Sequence, residues 1–194
     1  YTIGLLIPSI DNPYFATIAS EIVFEAKRYG YTVILLDTLE DEGNESECIN
    51  TLLTRSIDGI ILVPCGERPE SLEKIDEQTP IVLIDRYFED TSLSYICTDN
   101  YRGALDGVKL LIENGHKEIL CIRGVPHSMP SKERVKGYID ALRESGFDTR
   151  SRITGNDYSI TNGYLETKLA IGSPARPTAI FALSNTIMLG AIRA

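Results

Sequence analysis

The stretch IGLLIPSIDNPYF, residues 3–15, gives the first and clearest indication of the fold, and the rest of the sequence repeats its pattern. Its apolar run of residues 3–7 is long enough for one buried strand, which Pro8 ends because proline cannot donate to a sheet ladder. Asn12 followed by Pro13 is typical of a helix N-cap and the first helical residue, and apolar residues then recur at helical spacing. The stretch therefore predicts a strand, a polar loop and an amphipathic helix, with a small-molecule site at the loop.

Strand-like apolar runs return along the whole chain and alternate with helical patterns roughly every 20–30 residues. Such alternation predicts βαβ units, and nearly continuous apolar runs predict parallel sheets covered by helices on both faces. Asn44, Asp99 and Ser184 are the predicted caps of three of the helices. The predicted strands are Ile3–Ile7, Thr32–Asp37, Gly59–Val63, Ile81–Asp85, Tyr95–Cys97, Ile119–Ile122 and Ala179–Ala182.

The bulk composition excludes several function classes. A formal net charge of −9 argues against nucleic-acid binding by this segment, because phosphate binding requires clustered cations. No zinc spacing and neither Gly-rich phosphate motif occurs, so no metal and no cofactor is predicted. No GxSxG elbow or supported Cys–His pair occurs, so the sequence does not predict an enzyme, and no apolar run approaches the ~20 residues of a membrane span. Four scattered cysteines favour buried thiols of a cytosolic protein over disulfides.

Seven segments together resemble, in order and spacing, the effector-binding domain of the LacI/GalR family of bacterial transcription regulators. They are IGLLIPSIDNPYF, IDGIILVP at 57–64, PIVLIDR at 80–86, TDNYRGA at 98–104, LIENGHKEIL at 111–120, SKERVKGY at 131–138 and PTAIFALSNTIMLGAIRA at 177–194. That domain shares its fold with periplasmic sugar-binding proteins. The resemblance implies an α/β protein with two Rossmann-like lobes, of the periplasmic-binding-protein-like type I, and an effector in the cleft between them.

The domain organisation follows from the resemblance and from a change of pattern near residues 115–118. Residues 1–117 are predicted to form the N-terminal lobe and residues 118–194 the C-terminal lobe. Three strands are few for a lobe, and the chain ends at Ala194 in a helix that has barely begun. We therefore expect the second lobe to be truncated and the natural protein to continue.

The resemblance also implies partners and location. It implies a small-molecule effector, a sugar or sugar derivative, and operator DNA bound through an N-terminal helix-turn-helix that the 194 residues lack. It further implies a homodimer in the cytoplasm with no membrane partner. The alternative is a periplasmic sugar-binding protein of a transporter or chemoreceptor, although TDNYRGA and LIENGHKEIL are more typical of the regulators. An enzyme on a flavodoxin-like sheet is a third alternative.

The first loop and helix carry three candidate ligand-binding residues: Ser9, Asp11 and Phe15. Ser9 offers a hydroxyl contact or only turns the chain, and Asp11 lies beside it. Phe15 is either core or a stacking wall for the apolar face of a sugar. Asn12 is interpreted mainly as a helix cap.

Two charged residues are further candidates. Asp85 ends the run IVLID, where a carboxylate is costly unless it is paired; it accepts from sugar hydroxyls, pairs with Arg86 or caps a turn. Arg134 lies in SKERVKGY, where the resemblance implies an arginine that holds effector hydroxyls or carboxylates with five donors in a fixed fork. The alternative is a solvated arginine in the first turn of a helix. The other basic side chains of residues 132–152 are interpreted as scattered charges exposed to solvent.

The resemblance adds Tyr158 and Asn185. Tyr158 occupies the aromatic position of the family and is either a stacking residue or a satellite core contact. Asn185 stands where the family usually has an aspartate that contacts the effector, and the change removes a charge but supplies both a donor and an acceptor. The alternative for Asn185 is a helix-start residue that bonds its own backbone.

Overall fold

Eight strands and seven helices lie along residues 1–66, 68–147 and 152–194, the part of the chain that this computed structural model describes. Their contacts divide the chain into two units, Tyr1–Thr98 and Asp99–Ala194. The division lies earlier than the predicted boundary at residues 117 and 118. The reason is the helix that follows Asp99, which packs so closely on the second unit that a Cβ on Gly137 would lie 2.5 Å from the Tyr101 carbonyl oxygen.

The first unit is a five-stranded sheet with three helices among its described residues. Its strands are parallel and lie in the order β2-β1-β3-β4-β5. The elements are β1 (Thr2–Ile7), α1 (Pro13–Arg28), β2 (Thr32–Asp37), α2 (Glu42–Leu53), β3 (Gly59–Leu62), α3 (Glu70–Asp76), β4 (Ile81–Ile84) and β5 (Ser94–Ile96).

The second unit repeats this architecture with a three-stranded parallel sheet in the order β7-β6-β8. Its elements are α4 (Asn100–Glu113), β6 (Ile119–Ile122), α5 (Met129–Glu144), β7 (Arg152–Thr154), α6 (Ile160–Gly172), β8 (Ala179–Ala182) and α7 (Asn185–Ile192). The predicted α/β class with parallel sheets and flanking helices is confirmed for both units. The sequence did not predict β7, because its three residues, Arg-Ile-Thr, contain no apolar run.

Alternating side chains place core on both faces of each sheet, as expected for parallel sheets. In β1, Leu5 belongs to one buried cluster and Leu6 to another. In β6, Leu120 and Cys121 are divided in the same way. The structure has all four cysteines as free thiols, but Cys97 is exposed, so the prediction of buried thiols is wrong for that residue.

The helix starts follow local capping chemistry. Asp99 and Ser184 cap α4 and α7 as predicted, accepting hydrogen bonds from backbone N–H groups of the first turn. The predicted cap of α2 is wrong, because Asp41 occupies that position and its carboxylate accepts from the backbone N–H of Asn44 at 2.7 Å. Among the described residues, every helix is too short or too polar to cross a membrane.

Candidate functional site

At the carboxyl end of the first sheet, a hydrogen bond joins the first turn of α1 to the residue that follows β4. The hydroxyl of Tyr14, in the first turn of α1, donates to Oδ1 of Asp85 at 2.8 Å. Asp85 directly follows β4 and is 9% exposed. Ligands of open parallel sheets bind at this edge, so the carboxylate is held where a ligand is expected.

The backbone at Asp85 is strained. Its φ is +64°, and the N–H of Arg86 donates to the carbonyl of Ile84 at 2.7 Å. This is the hydrogen-bond pattern of a γ-turn with a positive central φ, a rare conformation for a non-glycine residue. The Asp85 N–H is also held, by the carbonyl of Ile96 at 2.9 Å. Strain of this kind is concentrated at functional sites, which supports a role for the Asp85 carboxylate.

The neighbouring Arg86 stabilises the loops at this edge of the sheet. It is 7% exposed and donates through both terminal nitrogens to the carboxylate of Glu40, at 2.8 and 2.7 Å. It also donates to the carbonyl of Pro64 at 3.3 Å. Such a two-pronged ion pair fixes geometry as well as charge. It links the loops that follow β2, β3 and β4.

The loop after β1 presents the predicted polar residues. Ser9 is partly buried and its carbonyl accepts from the Asn12 N–H at 3.4 Å, whereas Asp11 is exposed. Asn12 is the N-cap of α1, as predicted, and its side chain accepts from the backbone N–H of Tyr14 at 3.1 Å. Ser9 and Asp11 therefore lie on a loop whose exit is fixed by the Asn12 cap.

Phe15 lies in the core of the first unit. Its ring is 4% exposed and packs in the cluster that contains Leu5, Ile7 and Val63. Of the two alternatives for this residue, the structure therefore favours the core over a stacking wall. The adjacent Tyr14, 38% exposed, is the aromatic ring of this turn nearer to solvent.

In the second unit, Arg134 is oriented by two acceptors. Its Nε donates to Oδ1 of Asn100 at 2.9 Å, and Nη1 donates to the carbonyl of Leu183 at 2.5 Å. Arg134 is partly buried and lies in the second turn of α5, so it is not the solvated first-turn arginine of the alternative interpretation. The bond to Leu183 holds the guanidinium beside the end of β8.

Tyr158 lies at the same edge of the second sheet. Its hydroxyl hydrogen-bonds to the Ser128 hydroxyl at 2.8 Å. Its ring packs on Gly124 so closely that a Cβ there would lie 2.0 Å from the ring, and it contacts the cluster around Ile122. The satellite core contact is therefore observed, and the stacking role stays a prediction.

Asn185 is exposed at the first position of α7, and its Oδ1 accepts from the adjacent Thr186 N–H at 2.9 Å. This is the backbone contact of the alternative interpretation. The Thr186 hydroxyl donates to the carbonyl of Tyr158, which ties the two loops together. Arg134, Tyr158 and Asn185 thus gather at the carboxyl edge of the second sheet.

Electrostatics at the first edge disfavour nucleophilic chemistry. Burial raises the pKa of the Cys65 thiol to about 12, although its hydrogen-bond distance to the Thr38 hydroxyl is 3.0 Å. Glu45 is 5% exposed and accepts from the Cys65 N–H at 2.7 Å, and burial raises its pKa. In residues 1–66, 68–147 and 152–194 no three His, Cys, Asp or Glu side chains group to hold a metal ion.

Sequence reasoning missed Tyr14. Its only signal was its place beside Phe15 in NPYF, and alternation cannot tell which ring of an adjacent pair points into the core. The ligand roles of Ser9, Asp11, Asp85, Arg134 and Asn185 stay predictions.

Comparison with known proteins identifies the family. The family described as "Periplasmic binding proteins and sugar binding domain of LacI family" matches residues 1–194. The chain is 33% identical to the HTH-type transcriptional repressor CytR of Escherichia coli strain K12, over 98% of this chain and 57% of that protein. It is 31% identical to catabolite control protein A of Priestia megaterium, over 98% of this chain and 58% of that protein.

A solved structure gives the same result. That of CcpA from Lactococcus lactis superposes with a TM-score of 0.86 at 27% identity, covering 100% of this chain and 71% of the other. The chain spans less than two thirds of the length of the two curated relatives. The resemblance drawn from the seven sequence segments is confirmed. The chain therefore belongs to the family of periplasmic binding proteins and LacI-type sugar-binding domains.

Proposed function

We propose that this chain senses a small-molecule effector, a sugar or sugar derivative, for a LacI-type transcription regulator. The observation that carries the proposal is the family match over residues 1–194, together with relatives that are themselves transcriptional regulators. Operator DNA is bound by a helix-turn-helix outside these residues, and the effector controls that binding. The role is one of binding rather than catalysis, in the cytoplasm.

The proposed effector contacts come from the carboxyl edge of each sheet. In the first unit, Asp85 accepts from effector hydroxyls, with Ser9 and Asp11 on the adjacent loop. In the second unit, Arg134 donates, and Asn185 both donates and accepts. A set of acceptors and donors of this kind suits a polyhydroxylated ligand.

The edge of the second sheet also offers an aromatic contact from Tyr158. In the proposed mechanism the effector binds one of two conformational states of the protein more tightly than the other, so its binding shifts their equilibrium. Moving a two-state equilibrium from 1:99 to 99:1 needs ~5.5 kcal/mol of differential affinity. Two or three charge-assisted hydrogen bonds made in one state alone, each worth about 1.5–3 kcal/mol, are of that order.

A homodimer is part of this proposal. It is supported by the large apolar side chains that α6 and α7 expose. The two helices pack so closely that a Cβ on Gly163 would lie 2.0 Å from the Ile187 carbonyl oxygen. Their outer sides nevertheless expose large apolar side chains, which mark interaction surfaces when they are contiguous. These exposed residues are Leu165, Leu169, Met188, Leu189 and Ile192.

The dimer is tested by analytical ultracentrifugation of the full-length protein that contains this chain. We expect Leu169→Glu together with Ile192→Glu to shift the dimer towards monomer. Leu110→Glu, at a side chain that is 59% exposed on α4, is the matched control and leaves the assembly unchanged. A protein that is monomeric without any substitution contradicts this part of the proposal.

The effector role is tested by calorimetric titration of a sugar panel. We expect one sugar to bind and Arg134→Ala to weaken its binding by about tenfold or more, as loss of a charged hydrogen bond predicts. The same sugar must change operator affinity in the full-length protein. Sugar binding without any effect on DNA, in a protein whose reading frame begins with a signal peptide, would instead identify a periplasmic binding protein, the second class in the family description.

A further inference from the structure

A groove of about 430 Å³ lies along α5 in the second unit. Its wall on the helix reaches from Ser131 to Arg143, a length of about 18 Å at the rise of an α-helix. Its other wall is formed by residues that follow β6. The volume falls in the range of ligand pockets of proteins. None of its lining residues is among the effector contacts proposed above.

The floor of the groove is apolar. Pro126, Val135 and Ile139 line it, and the last two lie four residues apart on one face of α5. Neither Val135 nor Ile139 is fully buried, although both pack against the core beneath. An apolar surface of this kind binds the hydrocarbon part of a ligand.

The rim of the groove is cationic, although the chain as a whole carries a net charge of −9. Four basic residues line it: Arg123, Lys132, Lys136 and Arg143. The single carboxylate in the lining, Asp140, is bonded by Arg143 at 2.6 Å. Four cations against one carboxylate leave three positive charges in the lining. Basic side chains of residues 132–152 were expected to be scattered, but three of them, Lys132, Lys136 and Arg143, line this one groove.

Arg123 is held in place rather than freely solvated. Its Nε donates to the carbonyl of Gly155 at 3.1 Å, which fixes the guanidinium at the end of β6. Lys136 lies over the ring of Tyr101, with Nζ 5.3 Å from the ring centroid. Ordered cations lose less conformational entropy on binding an anion than freely moving ones do.

Ser131 supplies the independent sign of a ligand. It lines the groove and is 1% exposed, and its Oγ makes no hydrogen bond with any described residue. Buried hydroxyls in proteins are almost always hydrogen-bonded, so an orphan of this kind requires an explanation. A ligand oxygen that reaches the floor beside Ser131 would supply the missing bond.

We propose that this groove binds a small organic phosphate ester. Its phosphate, with about 1.5–2 negative charges at pH 7, matches the excess of cations better than a single carboxylate does. Its apolar part lies on Val135 and Ile139, and one phosphate oxygen accepts from Ser131.

The test uses phenyl phosphate as the probe, with inorganic phosphate and phenol as its two separate parts. We expect phenyl phosphate to shift the amide NMR signals of Ser131, Val135 and Ile139, and to bind about tenfold or more tightly than either part. Equal affinity for inorganic phosphate would identify a nonspecific anion effect and overturn the proposal. Signal shifts confined to other residues would overturn it as well.

Two variants test the named contacts. The double variant Lys132→Glu/Lys136→Glu is expected to weaken phenyl phosphate binding by about tenfold or more, because it reverses two charges of the rim. The control Lys27→Glu/Lys117→Glu changes the net charge equally at exposed sites outside the groove and retains binding. Ser131→Ala removes only an unbonded hydroxyl, so it keeps the fold while weakening binding several-fold. Unchanged affinity in both groove variants contradicts the assignment.

Discussion

The hydroxyl of Tyr14 and the carboxylate of Asp85, 71 residues apart in the chain, are joined by a 2.8 Å hydrogen bond. β3 lies between β1 and β4 in the sheet, so the contact joins the first turn of α1, the helix after β1, to the end of β4, a strand with which β1 does not pair. It fixes the direction of a carboxylate whose backbone is already held at a φ of +64°. The geometry of the first candidate edge therefore depends on both residues.

Tyr14→Phe tests that bond in isolation, because it removes only the hydroxyl. We expect the free energy of unfolding to fall by about 1 kcal/mol, less than the roughly 1.5–3 kcal/mol of a bond to a charged group, because the ring is partly exposed. Urea unfolding followed by circular dichroism measures the change. Tyr29→Phe, at a side chain that is 72% exposed, is the control and is expected to have no effect. Equal midpoints for both variants would show that the bond contributes nothing.

Asp85→Asn separates the charge of this residue from its conformation. Asparagine tolerates a positive φ and keeps an oxygen that accepts from Tyr14, so we expect a loss of stability below about 1 kcal/mol. Affinity for the sugar identified in the panel is expected to fall by about tenfold or more, because a charged acceptor is replaced by a neutral one. Calorimetric titration measures it.

The exposed Asp90→Asn is the control for this charge change. It is expected to leave both stability and sugar affinity as they are. If Asp85→Asn and Asp90→Asn bind the sugar equally well, Asp85 is not an effector contact.

Most of the fold could be predicted because each apolar run is a local signal. Thr32–Asp37, Ile119–Ile122 and Ala179–Ala182 were predicted with the bounds that the structure has. β7 lacked such a run, and Asp41 was missed because an acceptor side chain three residues before Asn44 was an equally good cap.

The candidate site was harder to predict, because its geometry is made by contacts between distant residues. No local pattern indicates that Tyr14 reaches Asp85 or that Arg134 donates to the Leu183 carbonyl. The positive φ of Asp85 is equally invisible in the sequence, since aspartate occurs in every backbone region. Phe15 illustrates the same limit: its residue type suited both core and ligand, and only packing distinguishes them.

Gly163→Ala and Gly103→Ala form a matched pair of helix substitutions. A Cβ on Gly163 would lie 2.0 Å from the Ile187 carbonyl oxygen, whereas nothing lies within 4 Å of one on Gly103. We expect Gly163→Ala to lower the free energy of unfolding by about 1–3 kcal/mol through overpacking of α6 on α7. Gly103→Ala is expected to raise it by about 0.5–1 kcal/mol, because alanine restricts the unfolded chain. Thermal and urea unfolding measure both, and a stabilising Gly163→Ala would contradict the close packing of these helices.

Glu45 makes the stability of the first unit depend on pH. Its carboxylate is 5% exposed and accepts from the Cys65 N–H at 2.7 Å. Burial raises its pKa above the ordinary value of 4.5, and the charge of Glu42 adds to this, whereas the Cys65 N–H and Arg86 lower it. The folded protein therefore holds this proton to a higher pH than the unfolded chain does. The favourable contribution of the group is complete below pH 4.5 and is lost as the pH rises through the folded pKa.

Glu45→Gln keeps an oxygen for the Cys65 N–H but cannot ionise. We expect the free energy of unfolding of this variant, relative to that of the unmodified protein, to increase as the pH rises from 4.5 and to level off above the folded pKa. Urea unfolding of both proteins across this pH range measures the difference, in which all other titrating groups cancel. Glu47→Gln, an exposed residue of the same helix, provides the control and should give a nearly constant difference. A difference that falls with pH for Glu45→Gln would mean that the buried carboxylate is stabilised by its partners more than it is penalised by burial.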